Sequence, residues 1–562
     1  MRIHVILYFI LTLGSFALPQ AIENFISKST IPKKDVSIYI KEVGKNGKVI
    51  VSHNAQTTRT PASVIKVMST YAAILQLGFD YHFPTKLYTT GTLDKGVLNG
   101  DLIVKGFGDP TLDSKDLAKI VERIREKGIQ RITGNIVIDR SFFRVSTKNS
   151  SDFDEHPYSP YNAMPDAMMF NERVSTICVV PKKNSVNKKD ADGSYKIINQ
   201  IQAVNKPCKG RYSWPGVRID KSQVTPTVLL KGKLSKHCGQ QNICKVVTKP
   251  YLSFYYALKD KLKKVGVTVS GNMRLRKVPL DAKPLFTHYS ESLEKIVSKT
   301  AKKSNNLYAR HLLLFLGAKM YGEPSTLSKG RKAVENILKY KGALSAGTLS
   351  IDNGSGLSRT AKLSAKMLVD MYDDAYRRYG QRWMQTLSIA GVDGTIKKRF
   401  RGTVVKGKAW MKTGTLKRVK NIGGYVKSRS GQLYEVVILV HSNRGNWRAS
   451  QLQNETIKWL VKYKSSRKAT ISKKKYVSKS MTKMTLPLLQ PNTKYYVQAG
   501  SFVEVPTKSY LQRIEKLGLL YKVRYSRKHK VLVGPYAKET DARKVLIKVR
   551  QHINPKAFIT KL

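Results

Sequence analysis

Three short polar segments, placed far apart in the chain, most strongly limit what this sequence can fold into. They read SVIK at 63–66, SNN at 304–306 and KTG at 412–414. The first opens a run with a helical apolar period over 62–77, which Gly78 ends. The second begins another helical pattern, and the third lies on a predicted strand. Any fold must therefore present these polar groups from three separate elements.

Ser63 and Lys66 have the spacing of a nucleophile and its base. Residues three apart share one face of a helix, and the positive end of a helix favours negative charge developing nearby. A serine hydroxyl reacts once a base takes its proton, and a lysine can serve if burial or neighbouring cations lower its pKa. An ordinary helix start is the alternative. The same spacing recurs elsewhere in this lysine-rich chain, at Ser185/Lys188, Ser292/Lys295 and Ser480/Lys483.

The chain is strongly basic, with 102 Lys+Arg against 37 Asp+Glu in 562 residues and a formal net charge of +65. Such charge favours polyanions, nucleic acid first among them, or anionic envelopes. The N-terminus argues against nucleic acid. Arg2, the apolar run 5–13 and the small residues Ser15 and Ala17 predict a signal peptide over 1–17, with an uncleaved anchor as the alternative. We therefore expect a periplasmic protein.

Four cysteines agree with export, because disulfides persist in oxidising compartments. Four cysteines allow three pairings. Cys238 with Cys244 closes the easiest short loop, which leaves Cys178 with Cys208; unpaired core thiols are the alternative. Clustered Cys/His spacing and the H-E-x-x-H pattern are both missing from the sequence, so we expect neither a metal site nor a cofactor.

Elements at both ends of the main region predict one α/β (α+β) domain that carries a large insertion. Residues 36–52 alternate around Asn46-Gly47 as in a β-hairpin, and residues from 408 onward predict successive antiparallel strands and a closing helix. A mixed stretch at about 80–285 forms the insertion. Residues 463–493 form a basic linker. The remainder has the order β-α-β-β-α-β, which favours a ferredoxin-like sandwich.

In this order, S-x-x-K, S-x-N and K-T-G form the signature of penicillin-interacting serine enzymes. Residues 22–462 resemble the D-alanyl-D-alanine carboxypeptidase/endopeptidase family, the class C low-molecular-mass penicillin-binding proteins. The resemblance extends to LNGDLIVKGFGDPTL (98–112), GNIVID (134–139), DNGSGLSR (352–359) and the long gap between the first two motifs. It implies a serine transpeptidase/β-lactamase-like fold with inserted subdomains.

The resemblance also implies a role for each motif residue. Ser63 would attack the carbonyl between two D-alanines of a peptidoglycan stem peptide, with Lys66 as the base. Ser304 would pass a proton to the leaving amine, and Asn306 would hold Lys66 or the substrate amide. Lys412 would lower neighbouring pKa values and attract the substrate carboxylate. Substrate contacts would come from Thr413, Gly414, Thr415 and Arg359.

The oxyanion hole would consist of the backbone N–H groups of Ser63 and Thr415. For Arg359, an ordinary turn is the alternative, because the glycines of DNGSGLSR permit a positive φ. The family also offers an acidic residue for the substrate's free amine. His156 stands at that position here, with Asp154 and Glu155 beside it, so this contact stays open.

Residues 494–562 resemble a SPOR domain through YYVQAGSF and VLVGPYA. The resemblance implies binding to peptidoglycan glycan strands stripped of stem peptides, as found at division sites, with Gln498 and Ser501 on the binding strand. An RNA-binding module of the same fold is the alternative, since Tyr495 and Tyr496 could stack on bases.

The sequence thus predicts a periplasmic, septally targeted serine-type D-Ala-D-Ala carboxypeptidase/endopeptidase that β-lactams inhibit. We expect peptidoglycan and not nucleic acid as its partner. A β-lactamase is one alternative, and the long insertion argues against it. A non-catalytic wall-binding protein is the other, and the intact set of motif residues argues against that. The oligomeric state stays open, as does carboxypeptidase against endopeptidase activity, because both use the same acyl-enzyme.

Overall fold

The structure, a computed structural model, describes residues 18–145, 153–344, 347–464, 495–504, 506–525, 529–536 and 539–561. The predicted signal peptide and nearly all of the predicted linker lie outside these ranges. The chain divides into two compact units. The first unit is formed by Met1–Val64, Ala343–Ser350 and Arg359–Ser466, and the second by Ile65–Gly342, Ile351–Ser358 and Arg467–Leu562.

Helices and strands alternate throughout the described ranges. The helices are α1 Gln20–Ser29, α2 Lys66–Leu77, α3 Ser114–Glu126, α4 Pro250–Lys264, α5 Leu293–Lys302, α6 Asn306–Tyr321, α7 Leu327–Tyr340, α8 Ala365–Met384, α9 Asn446–Lys462, α10 Lys508–Lys516 and α11 Glu539–His552. The strands before the second motif are β1 Val36–Glu42, β2 Val49–His53, β3 His82–Thr89, β4 Thr92–Asp94, β5 Val97–Asn99, β6 Leu102–Gly106, β7 Arg131–Ile132, β8 Ile136–Asp139, β9 Ser175–Val180, β10 Ser185–Lys188, β11 Lys196–Val204, β12 Gly216–Asp220, β13 Thr227–Ser235, β14 Gln241–Lys245, β15 Thr268–Val269, β16 Met273–Leu275 and β17 Lys283–Ser292. The later strands are β18 Ser388–Ile389, β19 Ala409–Leu416, β20 Val419–Lys427, β21 Leu433–His441, β22 Tyr495–Phe502, β23 Tyr521–Tyr525, β24 His529–Tyr536 and β25 Phe558–Lys561.

One six-stranded sheet, in the order β18-β19-β20-β21-β1-β2, organises the first unit. Strands β1 and β2 form the predicted hairpin, and β1 also pairs with β21 from the far end of the region, Ile38 lying opposite Ile438. Helices α1 and α9 bury apolar side chains against this sheet, including Ile26 and Leu452. Early and late segments of this region thus contribute strands to one sheet.

The insertion in the second unit contains two hydrophobic cores, one nested within the other along the chain. The outer core uses residues 87–170 and 251–286, and the inner core uses residues 177–247. The outer part holds the sheets β15-β7-β5-β4 and β16-β8-β6-β3-β17, and the inner part holds β10-β9-β14 and β11-β13-β12. The chain thus leaves the outer part after Phe170 and returns to it at Tyr251.

Cys208 and Cys238 form a disulfide, and Cys178 and Cys244 are free thiols. Both pairings expected from the sequence, Cys238 with Cys244 and Cys178 with Cys208, are therefore wrong. The reason is tertiary: Cys244 lies on β14, exposed and opposite Thr176, while Cys238 is buried with its Cα 5.1 Å from that of Cys208. Short sequence separation does not bring two thiols together when a strand begins between them.

The C-terminal part of the second unit has the predicted order β22-α10-β23-β24-α11-β25. Its sheet order is β23-β24-β22-β25, which is that of a ferredoxin-like sandwich. The segments YYVQAGSF and VLVGPYA lie on β22 and β24, which pair antiparallel. Across the described ranges, no helix has both the length and the apolar character needed to cross a bilayer.

Candidate active site

Ser63 lies in a short 3-10 turn, Ala62–Ile65, that runs directly into α2. The predicted helix is thus confirmed, with a tighter first turn than the pattern indicated. Ala62 is fully buried and has a φ of 48°. The left-handed region costs an L-residue about 1–2 kcal/mol, and such strain concentrates at functional sites. The backbone before Ser63 is therefore held in a conformation that local preference would not choose.

Gly414 brings strand β19 close to the segment that carries Ser63. A Cβ at this position would stand 2.8 Å from the carbonyl oxygen of Pro61 and 3.0 Å from the backbone nitrogen of Ser63. These distances leave no room for a side chain, so the glycine of K-T-G is required by close backbone approach. Within the first unit, the structure thus brings the third motif and Ser63 together.

Asn421, which the sequence reasoning missed, holds the same segment from the next strand. It lies opposite Gly414 on β20 and is 1% exposed. Its Nδ2 donates hydrogen bonds to the carbonyl oxygens of Thr60 and Pro61, both at 2.9 Å, and its Oδ1 accepts from the N–H of Val440 at 3.0 Å. An asparagine inside an apolar strand pattern is the signal that could have found it, since strands are depleted in asparagine.

Lys412 is fully buried on β19, and its Nζ donates a hydrogen bond to the carbonyl oxygen of Thr413 at 2.7 Å. Burial lowers the pKa of this amine to about 7. Near neutral pH the group can therefore be charged or neutral at small cost. Thr413 Oγ1 donates to Thr395 Oγ1 at 2.9 Å, and exposed Thr415 accepts from Lys420 Nζ at 3.1 Å.

Lys66 and Asn306 meet within the second unit. Lys66 is fully buried at the start of α2, and its Nζ donates a hydrogen bond to Oδ1 of Asn306 at 2.6 Å. It also donates to the carbonyl oxygen of Ser355. Asn306 Nδ2 in turn donates to the carbonyl oxygen of Tyr161 at 2.9 Å. The expectation that Asn306 holds Lys66 thus agrees with this geometry, and the lysine amine has a fixed position three residues after Ser63.

Ser304 and Asn305 have different structural roles at the start of α6. Asn305 is the N-cap, because its side chain accepts from the N–H of Tyr308 at 3.1 Å. Ser304 is partly buried and has a φ of 54°. This is a second strained residue at a motif, and it follows from the tight connection between α5 and α6.

Glu172, also missed from the sequence, anchors the second motif from the insertion. Its carboxylate accepts from Asn305 Nδ2 at 2.8 Å and from the Tyr308 hydroxyl at 3.0 Å, and it forms an ion pair with Lys299 at 2.7 Å. Burial, reinforced by this carboxylate, raises the pKa of Tyr308, so the phenol remains a donor. No sequence pattern predicts this contact, because it joins residues far apart in the chain.

Comparisons with known proteins show the family of this chain. Residues 18–463 match the model of the D-Ala-D-Ala carboxypeptidase 3 (S13) family, and residues 491–561 match that of the SPOR domain. The chain belongs to the S13 family. It therefore belongs to a family of serine peptidases, and it also carries a C-terminal SPOR domain.

Individual relatives cover most of the S13 region. The D-alanyl-D-alanine carboxypeptidase of Actinomadura sp. strain R39 is 29% identical over 418 residues, covering 70% of this chain and 76% of its own length. The carboxypeptidase DacB of Haemophilus influenzae is 26% identical over 429 residues, covering 74% and 88%. The crystal structure of penicillin binding protein 4 (dacB) from H. influenzae superimposes with a TM-score of 0.67 at 24% identity, covering 79% and 99%. This likeness shows the fold.

The S13-type segment DNGSGLSR forms a turn whose backbone serves Lys66. Gly354 and Gly356 have φ values of 72° and 77°, as the turn interpretation requires. Asn353 Oδ1 accepts from the backbone N–H of Ser355 at 3.0 Å, which fixes the carbonyl group that receives the lysine hydrogen bond. Arg359 is exposed in the first unit, and its predicted substrate contact stays a prediction.

Residues 154–156, where the family resemblance implies a contact with the substrate amine, include an aspartate that accepts local hydrogen bonds. Asp154 accepts from the Tyr161 hydroxyl at 2.8 Å and from Asn162 Nδ2 at 2.7 Å, and His156 is exposed. Asp154 thus supports the same residue, Tyr161, whose carbonyl group receives Asn306. In the SPOR domain, Gln498 is partly exposed and Ser501 is exposed on β22, and their glycan contact stays a prediction.

Proposed function

We propose that this S13 protein is a serine-type D-alanyl-D-alanine carboxypeptidase that works through an acyl-enzyme on Ser63. The observation that carries the proposal is the position of Lys66. Its amine is fully buried, hydrogen-bonded to Asn306 at 2.6 Å, and placed one helical turn after the proposed nucleophile. A buried amine with fixed acceptors is suited to accept a proton in a defined direction.

Acylation would start when Lys66 takes the proton of the Ser63 hydroxyl and the serine oxygen attacks the carbonyl carbon between the two D-alanines. The oxyanion that forms would accept hydrogen bonds from the backbone N–H groups of Ser63 and Thr415; one such donor typically contributes about 3–4 kcal/mol. As the carbon–nitrogen bond breaks, Ser304 would pass its proton to the nitrogen of the leaving D-alanine and take up the proton held by Lys66. Water would hydrolyse the ester and release Ser63.

The third motif would bind the free carboxylate of the terminal D-alanine. Lys412 would attract this carboxylate, and Thr413 would donate a hydrogen bond to it. Because burial lowers the pKa of Lys412 to about 7, an incoming carboxylate would favour its charged form. Gly414 contributes by close backbone approach, which keeps β19 beside Ser63.

We further propose that the enzyme cuts cross-links as an endopeptidase and that β-lactams acylate Ser63. Both reactions use the same acyl-enzyme chemistry. A crystal structure of the H. influenzae protein, with a TM-score of 0.64 to this chain, is complexed with a β-lactam. Digestion of purified cross-linked muropeptides distinguishes the two activities: released monomers indicate endopeptidase activity, and loss of only terminal D-alanine contradicts it.

We propose that the chain is exported to the periplasm and held at wall glycan by its SPOR domain. The N-terminal pattern over 1–17 supports export. A tether raises the local concentration of stem peptides by effective molarity. If a chain that lacks residues 464–562 localises to division septa as the full chain does, the tether does not operate.

Labelling with a fluorescent penicillin, followed by mass spectrometry, tests the catalytic proposal. We expect a persistent adduct on Ser63 that Ser63→Ala abolishes. Ser292→Ala is a matched control, because Ser292 and Lys295 repeat the spacing at another helix start. Rapid turnover of the penicillin would indicate a β-lactamase instead, and a chain that forms no adduct would be a non-catalytic wall-binding protein.

A further inference from the structure

A cavity of about 300 Å³ lies in the insertion, where the inner part joins the outer part. Its lining comes from the chain just after β8, from the segment that precedes β9 and from the start of α4. Four cationic side chains and one carboxylate line it: Arg140, Arg173, Lys221, Lys249 and Asp166. A concave site with so strong an excess of one charge sign concentrates counter-ions of the opposite sign.

The single carboxylate is already committed. Asp166 is 5% exposed and accepts from Nε of Arg140 at 3.0 Å and from Nη2 at 2.5 Å, in a bidentate pair. Its Oδ1 also accepts from the N–H of Met168 at 3.0 Å. The Arg140 guanidinium stacks over the ring of Tyr251 at 4.9 Å. This pair therefore forms one wall of the cavity, and Asp166 makes its ion pair with Arg140 and not with the other three cations.

Arg173 supplies the strongest evidence that the cavity is built for a ligand. Nη1 donates to the carbonyl oxygen of Met164 at 3.0 Å, but the buried Nε lacks a hydrogen-bond partner among the described residues. Burial lowers the pKa of this guanidinium. A buried donor without a partner is costly, at about 1–3 kcal/mol, unless a ligand or water satisfies it.

Lys221, which follows β12, and Lys249, which precedes α4, also line the cavity. Lys221 lies over the ring of Tyr158 at 4.8 Å, and Lys249 lies 5.9 Å from the ring of Tyr251. Within the described ranges, no carboxylate is at ion-pair distance from Arg173 or from either lysine. Three cations thus face one space whose only carboxylate is paired with Arg140.

Helix α4 adds a fourth positive element. Its first turn, Pro250 to Leu252, lines the cavity, and its N-cap residue, Lys249, provides no side-chain cap. A helix of 15 residues carries about half a positive charge at its N-terminus, which favours an anion nearby. In this first turn Pro250 has no N–H group and the Leu252 N–H donates to the carbonyl oxygen of Lys249 at 3.1 Å, so the helix contributes mainly through its dipole. The helix end and the partly buried Arg173 line the same cavity.

We propose that this cavity binds a phosphate group, either as free phosphate or as an ester carried by a larger molecule. Three cations without a carboxylate at ion-pair distance favour a dianion over a single carboxylate, and guanidinium donors match phosphate oxygens in geometry. The cavity volume admits a phosphate group together with part of an attached organic group. The site is formed by the insertion, apart from the three motifs.

Calorimetric titration of the full chain with inorganic phosphate tests this site, in a chloride buffer strong enough to suppress diffuse binding to the basic surface. We expect one saturable site that Arg173→Gln weakens by at least about tenfold. Lys221→Gln, a change at an exposed side chain, should weaken it by about threefold to tenfold with a smaller folding cost than Arg173→Gln. Arg274→Gln is the matched control, because it removes the same charge from an exposed position on β16.

The outcomes separate a built site from diffuse attraction. Unchanged affinity in Arg274→Gln, together with loss in the two cavity variants, supports the proposal. Equal weakening in all three variants, or heats that do not saturate, overturns it. Acetate in place of phosphate should bind at least about tenfold more weakly, and equal binding would overturn the preference for a dianion. Glycerol phosphate in a third arm shows whether the cavity accepts an ester or the free ion alone.

Discussion

Lys66 and Lys412 are both completely buried, yet the protein holds them in different ways. The Lys66 amine donates to a side-chain amide from α6 and to a carbonyl group of the turn at 353–356. The Lys412 amine donates to the carbonyl group of the next residue on its own strand. The position of Lys66 therefore depends on segments hundreds of residues away in the chain, whereas Lys412 has one acceptor in the adjacent residue of its own strand.

This difference teaches which changes should act at a distance. Replacing Asn306 of the second motif by an apolar residue should displace Lys66, because it removes the side-chain acceptor. The same replacement leaves the Lys412 hydrogen bond to Thr413 intact. The rate of acylation by penicillin reports on Lys66, and the pH dependence of the free energy of unfolding reports on Lys412.

The largest effect should come from Lys66→Met, which removes the proposed base. We expect the second-order rate of penicillin acylation to fall by about 10²–10⁴-fold, the usual contribution of a general base. A time course of labelling with fluorescent penicillin, quenched at successive times, measures this rate. Lys295→Met is the control, since its side chain is 70% exposed in a motif of the same spacing. Acylation of Lys66→Met at the rate of the unmodified chain would remove Lys66 from the mechanism.

Asn306→Leu should come next, with a loss of about 10–100-fold in acylation rate and about 1–3 kcal/mol in the free energy of unfolding. The reason is that the buried amine of Lys66 loses its side-chain acceptor. Asn306→Asp keeps an acceptor for Lys66 but loses the donor to Tyr161, so its acylation rate should lie well above that of the leucine variant. If both variants acylate equally slowly, Asn306 acts on substrate and not through Lys66.

A pH-dependent effect should mark Lys412. Its pKa falls from the ordinary 10.5 to about 7 in the folded protein, so between these values the unfolded chain binds a proton that the folded protein does not. The free energy of unfolding should therefore rise with pH in this window, and Lys412→Met should lack that contribution. Urea unfolding at several pH values from about 7 to about 10 measures the difference between the two proteins. A difference that does not change with pH would contradict the lowered pKa.

The smallest effect should come from Thr395→Val, which removes the hydrogen-bond partner of the Thr413 hydroxyl. This pair is exposed, and a neutral hydrogen bond contributes about 1 kcal/mol, so acylation should slow by about fivefold at most. A larger loss, measured by the same labelling assay, would show that Thr395 contacts substrate directly.

The sequence predicted elements that local pattern determines and missed contacts that only tertiary structure creates. The hairpin around Asn46-Gly47 and the helix after Ser63 follow from periodicity and turn chemistry, and the structure has both. The pairing of Cys208 with Cys238 could not be predicted, because it depends on where β14 begins. Glu172 escaped for the same reason, since its partners lie more than a hundred residues later in the chain.

The motifs gave the proposed catalytic residues but not their support. The S-x-N motif identifies Asn306, but two backbone carbonyl groups also help to position Lys66. That of Ser355 accepts from Lys66 itself, and that of Tyr161 accepts from Asn306. Backbone acceptors leave no trace in a sequence pattern, because any residue type carries one. Asn421 differs, since its amide inside an apolar strand is visible before the structure is known.

Asn171, Glu172 and Arg173 are three consecutive residues with left-handed backbone, with φ values of 47°, 53° and 59°. A left-handed backbone is unfavourable for these residue types, so the surrounding structure must hold this segment in place. The side chains of Glu172 and Arg173 are therefore attached to one constrained piece of backbone. Glu172 accepts a hydrogen bond from Asn305, the N-cap of α6, and Arg173 lines the cationic cavity. An anion that drew Arg173 inward by a fraction of an ångström would also move Glu172 and, through its hydrogen bond, Asn305. Anion binding in the insertion would then change the position of the S-x-N motif.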